Sequence, residues 1–220
     1  MFEKFYQLQQ DTLSPEDLEK TLQHTLQHPL LGKSVLSKAF MGTRGFSVVW
    51  KASSRGEAEL SRRYSWLAPY LKAVIKPGTN AWYLNALIVQ KGGDIGAHKD
   101  QSLSPYLKKA TYPEWVSVLC LQAPQPSPGG TLELYWEGVK LTEIAPTQNQ
   151  LTHFIGDLDH LVTQYDGHNP RITLVCEQYK LEEELLKLVP EWAELSRGST
   201  TNEEMSQSHS ERSTSPSTYS

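Results

Sequence analysis

The sequence predicts a mainly β protein with flanking helices (α+β), built on a double-stranded β-helix of the jelly-roll, cupin-like kind. Three observations carry this. From Asn80 onward the apolar residues recur with the period of two that strands use, in seven short runs. Turn signals, not helix-length crossovers, separate the runs, which argues against parallel βαβ units. Helical periodicity is confined to the N-terminal third and one stretch near the C-terminus.

The elements follow in order. Ser14-Pro15-Glu16-Asp17 is a helix start, with a hydroxyl cap, proline at the first helical position and acids at the positive dipole end. Leu18, Leu22 and Leu26 then share one face, and Pro29 ends the segment. Phe46–Trp50 reads as a strand, and Glu57 to about Lys72 as a second amphipathic helix striped by Leu60, Tyr64, Leu67 and Leu71. Residues 1–79 are thus a helical buttress carrying one or two strands of the same domain. Residues 80–181 hold the barrel strands: Ala81–Val89, Trp115–Leu121, Thr131–Trp136, Val139–Ile144, Gln150–Ile155, His160–Gln164 and Arg171–Tyr179. Lys91-Gly92-Gly93-Asp94, Pro128-Gly129-Gly130, Glu137-Gly138 and Asp166-Gly167 supply turns. Residues 182–197 read as a C-terminal helix interrupted or ended near Pro190. Residues 198–220 are Ser/Thr-rich with almost no apolar side chains, and are expected to be disordered.

A chain of 220 residues fits one domain and a tail. The net charge of −4 gives no general field for DNA, RNA or an anionic membrane, so neither nucleic acid nor membrane is expected as a partner. Arg62-Arg63 and Lys108-Lys109 are too short for a basic patch. Cys120 and Cys176 lie in apolar runs and read as reduced core thiols, with a buried disulfide as the alternative. The opening MFEKFYQLQQ lacks the apolar run of a signal peptide, and no stretch approaches the ~20 apolar residues of a membrane span. The protein reads as soluble and cytoplasmic.

The chemistry concentrates in His98-Lys99-Asp100, His160 (62 positions after His98) and Arg171, 11 further on. Residues at i and i+2 on a strand share a face, so His98 and Asp100 can reach one ion. Two imidazoles and one carboxylate suit an Fe(II) site that keeps coordination positions open. Arg171 begins an apolar strand, where an unpaired charge is costly, so a bound carboxylate is a reasonable partner; Thr173 shares its side of the strand. The plainer alternative pairs Arg171 with Asp157 or Asp159. His153 rivals His160 as the distal ligand, although a satisfied core or edge histidine is its commoner role. His168 sits in a turn. His24 and His28 are spaced as a helical surface pair, and His209 lies in the tail.

These residues resemble the Fe(II)/2-oxoglutarate oxygenases, in particular the prolyl-4-hydroxylase-like group, over roughly Asn80 to Leu181. Gly93-Asp94-Ile95-Gly96-Ala97-His98-Lys99-Asp100 is similar to that group's His-x-Asp segment, and Gly129-Gly130-Thr131-Leu132 to its Gly-Gly-x-Leu strand start. Leu151–Phe154 with His160-Leu161-Val162 is similar to its distal-histidine segment, and Arg171-Ile172-Thr173 to its co-substrate strand. The resemblance implies Fe(II) held by His98, Asp100 and His160, the catalytic set, and the far carboxylate of 2-oxoglutarate held by Arg171 and Thr173. It also implies O2 as co-substrate and ascorbate as a supporting reductant. The reaction would convert 2-oxoglutarate and O2 to succinate and CO2 while hydroxylating an aliphatic C–H.

The departures matter. Many members place a tyrosine nine or ten residues before the first histidine, where this chain has Val89 and Ile88; Tyr83 or Asn85 are the candidate substitutes for binding the co-substrate. Nucleic-acid demethylases of the superfamily carry a second arginine six residues beyond the first. Glu177 stands there and counts against a nucleobase substrate. Trp82, Trp115, Trp136 and Tyr165 are candidates to line the mouth, and the Gln101–Pro113 segment a candidate lid; Trp136 and Gln101 stand as substrate-binding candidates. The substrate expected is a peptidyl or free amino-acid side chain, with a small-molecule metabolite as the alternative. The competing classes are a cupin-like metal-binding protein without oxygen chemistry, and a β-sandwich interaction module in which His98, Asp100 and His160 never converge.

Overall fold

In the computed structural model the described residues are 4–33 and 40–196. The Ser/Thr-rich segment 198–220, expected to be disordered, and His209 within it lie outside them. Along the chain the elements are β1 (Tyr6–Gln9), α1 (Pro15–Leu26), β2 (Gly32–Lys33), β3 (Phe40–Lys51), α2 (Ser54–Arg63), a 3-10 turn (Ser65–Leu67) and α3 (Ala68–Val74). There follow β4 (Ala81–His98), α4 (Ser104–Leu107), β5 (Trp115–Gln122), β6 (Leu132–Trp136), β7 (Val139–Ile144), β8 (Leu151–Ile155), β9 (Asp159–Tyr165), β10 (Arg171–Tyr179), α5 (Glu183–Leu186) and β11 (Trp192–Leu195).

The strands form two facing layers joined by β4. Its first half, Ala81–Val89, lies between β10 and β3, within the antiparallel order β1-β8-β5-β10-β4-β3-β11. Its second half pairs with β9 through Gly93, Ile95 and His98, and β9 continues to β6 and β7. This is a double-stranded β-helix, as the sequence predicts. Alternation then decides what each layer buries. Between the layers, Leu87, Val89, Val116 and Phe154 meet Ile95, Leu132, Leu134 and Val162. On the outer face, Leu22, Trp66, Leu67, Tyr70 and Val74 cover Phe46, Val48, Trp50, Leu84, Ile88 and Leu174. Each large apolar side chain so covered contributes about 1.5–3 kcal/mol.

The helix start at Ser14 is realised: its hydroxyl accepts from the Asp17 amide at 3.1 Å. Two helical expectations are corrected. The helix expected over Glu57–Lys72 breaks into α2, the 3-10 turn and α3, because Pro69 has no amide hydrogen and its ring clashes with the carbonyl one turn back. The C-terminal helix expected over 182–197 is a single turn, α5, followed by β11 on the edge of β3. Pro190 forces Val189 out of helical conformations, and Tyr64 and Arg63 then donate to the Glu194 carboxylate at 3.1 and 2.9 Å. The N-terminal buttress carries three strands, β1, β2 and β3, where one or two were expected.

Cys120 and Cys176 are buried and free, so the disulfide alternative is not realised. Among the described residues no helix is long and apolar enough to cross a membrane.

His153 sits on the outer face of β8, where its Nδ1 is 2.7 Å from Ser117 Oγ. Burial pulls its pKa down to about 4. The unfolded chain takes up that proton near pH 6.5, so stability is full above pH 6.5 and falls as pH drops toward 4. The expected loss across that window is about 3 kcal/mol. Urea titrations at pH 7 and pH 4 measure it, and His153→Gln flattens the dependence.

Candidate metal centre and anion pocket

His98 is the last residue of β4 and lies directly opposite His160, the second residue of β9. Asp100 stands two residues beyond the strand, in irregular backbone. His98 Nε2 is 3.4 Å from Asp100 Oδ1, and His160 Nε2 is 3.5 Å from Asp100 Oδ2. The ring centroids are 4.3 Å apart, and the three prospective ligand atoms lie within 4.8 Å of one another. The β-sandwich alternative, in which these side chains stay apart, is therefore overturned.

Each imidazole is oriented by its own backbone. His98 Nδ1 lies 2.8 Å from the Gly96 carbonyl and His160 Nδ1 lies 3.2 Å from that of Leu158. A carbonyl only accepts, so both Nδ1 atoms carry the proton and both Nε2 lone pairs face Asp100. Phe40 packs edge-on against His98 and Phe154 against His160, with centroids 5.2 and 5.0 Å away. Burial pulls His160 below its ordinary pKa. Burial acts the same way on His98, but its protonated form gains a hydrogen bond to Asp100 and the attraction of its charge, and the net shift is upward. Burial pushes Asp100 up, and the two imidazoles more than reverse it, so its net shift is downward. Asp100 Oδ2 is nevertheless buried without a hydrogen-bond partner. Two Nε2 lone pairs and an unsatisfied carboxylate oxygen form a facial donor set that fits one divalent cation.

Further along the interior, the inward face of β10 presents Arg171, Thr173, Val175, Glu177 and Tyr179 in succession. Arg171 is 4 % exposed and, among the described residues, has neither an ion pair nor a hydrogen-bond partner; its Nε is fully buried. The Thr173 hydroxyl, on the same face, is also buried and unpaired. Pairing of Arg171 with Asp157 or Asp159 is thus not realised, and Asp159 lies beside Lys99 at 3.9 Å. Burial lowers the Arg171 pKa. Gly130, at φ +70°, makes room for the guanidinium stem. A Cβ there would stand 3.1 Å from both Arg171 Cδ and the Tyr165 ring. A buried guanidinium and hydroxyl, both without partners among the described residues, form a receptor suited to a carboxylate.

Other candidates fall elsewhere. Tyr83 and Asn85 face the interior, but their β10 partners are Glu177 and Val175, not Arg171. Tyr83 donates to Ser47 at 2.9 Å and Ser47 donates to Asn85 Oδ1 at 3.2 Å. Neither is brought next to Arg171. Val89 pairs with Arg171, and the aromatic ring beside it is that of Tyr165. Its signal in sequence was its place at the end of the distal-histidine strand. Trp82 stacks on Trp50 in the outer core, and Lys76 lies over Trp115, so neither lines the mouth. Trp136 is half-buried against Phe5, two residues past the partner of His160. Gln101 is exposed and its amide oxygen accepts from Ser104. Within the Gln101–Pro113 segment, Leu103 and Leu107 are buried in one cluster with Tyr83 and Tyr179, while Lys108–Ala110 are exposed. His153 points to the opposite face of its sheet and is no rival to His160.

No protein-family model matches the chain, and no curated protein matches it in sequence. Solved structures do match in fold. A prolyl-4-hydroxylase from Pseudomonas putida superposes with a TM-score of 0.54 at 16% identity, covering 81% of this chain and 94% of that one. A prolyl hydroxylase from Trichoplax adhaerens, in complex with a hypoxia inducible factor oxygen degradation domain peptide fragment, gives 0.53 at 15% identity, covering 84% and 87%. A 2OG-Fe(II) oxygenase family oxidoreductase from Burkholderia pseudomallei gives 0.53 at 13% identity, covering 80% and 84%. The chain thus shares the double-stranded β-helix fold of the prolyl-4-hydroxylases and related 2OG-Fe(II) oxygenases.

Proposed function

We propose that the protein is an Fe(II)- and 2-oxoglutarate-dependent oxygenase that hydroxylates an aliphatic C–H, its core within residues 80–181 and residues 1–79 acting as a buttress. One observation carries the reading. Of the six buried side-chain polar atoms without a partner among the described residues, three are Asp100 Oδ2, Arg171 Nε and Thr173 Oγ1, all facing the same interior. Most such atoms are paired in native proteins, and three unpaired ones converging on one interior call for a shared explanation such as a bound ligand and ion. His98, Asp100 and His160 would hold Fe(II), and Arg171 with Thr173 would hold the far carboxylate of 2-oxoglutarate. The bound metal and co-substrate supply the oxidising chemistry by which 2-oxoglutarate, O2 and a C–H become succinate, CO2 and an alcohol. The chain's own contribution is orientation of both imidazoles, exclusion of water by Phe40 and Phe154, and neutralisation of the diacid by Arg171.

For the substrate we favour a peptidyl or amino-acid side chain, on the fold shared with the prolyl hydroxylases, one of them solved with a peptide. Trp136, packed against Phe5 and two residues past the partner of His160, would serve as a contact for the substrate. The acidic net charge and Glu177 disfavour a nucleic acid. Free buried thiols fit a reducing, cytoplasmic compartment.

The test is succinate formation by purified protein with Fe(II), 2-oxoglutarate, ascorbate and air. Turnover above the no-enzyme background supports the oxygenase. Absence of succinate, with no spectral change on anaerobic addition of 2-oxoglutarate to the Fe(II) protein, leaves the cupin-like metal binder.

A further inference from the structure

Asp100 has no place in the sheet. The β4 ladder ends at His98, and the carboxylate's polar neighbours are the two imidazoles it must face. Something else has to fix the turn that presents it. Two residues on, Ser102 is held by a buried carboxylate reaching from the opposite sheet. The Ser102 amide donates to Glu177 Oε2 at 2.9 Å, and the Ser102 hydroxyl donates to Glu177 Oε1 at 2.5 Å. Tyr179, next inward-facing residue on β10, donates its hydroxyl to Glu177 and accepts from the Leu103 amide at 3.4 Å. The turn closes with the Ser104 amide on the Gln101 carbonyl at 2.9 Å.

Glu177 is 3 % exposed, and three donors occupy its carboxylate, so it is not a receptor for an incoming cation. A buried carboxylate is tolerated only with such donors, and two of the three belong to one residue adjacent to the metal site. We propose that Glu177 is a positioning residue for Asp100, acting through Ser102. The strand end at His98 and the grip on Ser102 leave Lys99, Asp100 and Gln101 a short span fixed at both ends. That span has few backbone conformations, and the observed one aims Asp100 between the imidazoles. On this assignment the sixth residue after Arg171 serves the metal site and not the substrate. The inference rests on the metal-centre reading above.

The test uses Co(II) as a spectroscopic probe of the full chain under anaerobic conditions, with affinity and visible band intensity as readouts. Ser102→Ala and Glu177→Gln each remove part of the grip, and each is expected to weaken Co(II) binding about 10-fold or more. Their bands should also change as the carboxylate ligand moves. Ser102→Thr keeps the hydroxyl and is expected to bind as the wild type does. Val189→Ala loosens the same apolar cluster without touching the grip, so it should lower thermal stability with affinity and bands unchanged. Wild-type affinity and bands in both Ser102→Ala and Glu177→Gln overturn the assignment, as does an equal affinity loss in Val189→Ala. In His98→Ala, retention of wild-type Co(II) binding overturns the metal centre itself, which separates failure of that reading from failure of this one.

Discussion

An Arg171→Met protein is expected to bind 2-oxoglutarate about 30-fold or more weakly than the wild type while melting at a higher temperature. The two effects have one cause. The guanidinium is buried with no anion beside it among the described residues, and an uncompensated buried charge weakens the fold by several kcal/mol. Methionine fills a similar volume beside Gly130 and Tyr165 without a charge, so the ligand-free protein gains stability. With the diacid present the balance reverses, because a buried charge-assisted pair is worth ~2 kcal/mol or more, which corresponds to that factor in affinity. Metal binding should not change, since His98, Asp100 and His160 are untouched. Anaerobic 2-oxoglutarate titration and thermal melts without ligand measure both. Unchanged affinity would remove Arg171 from the site.

The second large effect is at Asp100. Asp100→Ala removes the only carboxylate of the cluster His98, Asp100 and His160, leaving two neutral imidazoles that bind a hard divalent cation poorly. Loss of a direct ligand is expected to exceed the ~10–100-fold that supporting residues cost, with succinate falling below detection. The fold should survive, because Asp100 lies outside the ladder and makes no hydrogen bond to the core. Far-UV circular dichroism, Fe(II) titration and succinate assay together check this. Full turnover in Asp100→Ala would refute the donor set.

What the sequence made legible was facing; what it hid was position along the barrel axis. Tyr83 and Asn85 lie on the interior side of β4, as co-substrate candidates should, yet period two cannot tell that they pair with Glu177 and Val175, three and two inward-facing positions away from Arg171. Lys91-Gly92-Gly93-Asp94 read as a turn ending the strand. In the structure Gly92, at φ +80°, lets the same strand bend and change sheets, with register shifts around Ile95. His98 and Asp100 were expected to share a strand face; the ladder stops at His98, and Asp100 arrives by a turn whose anchor, Glu177, lies 77 positions away in sequence. Long-range contacts of that kind leave no local pattern. Near the C-terminus, Leu185 and Leu188 imitate a helical stripe, while Pro190 and the open edge of β3 decide the outcome.

The undivided course of β4 turns the barrel into a ruler. His98 at its tip belongs to the proposed cation site, and Val89, nine residues earlier on the same strand, pairs in register with Arg171. One continuous strand joins the two, bent at Gly92 and held beyond the bend by its pairing with β9, so their separation is set by hydrogen-bonded strands. On the proposed reading, a diacid shorter or longer by one methylene would meet that fixed separation and would have to release either the metal or the arginine.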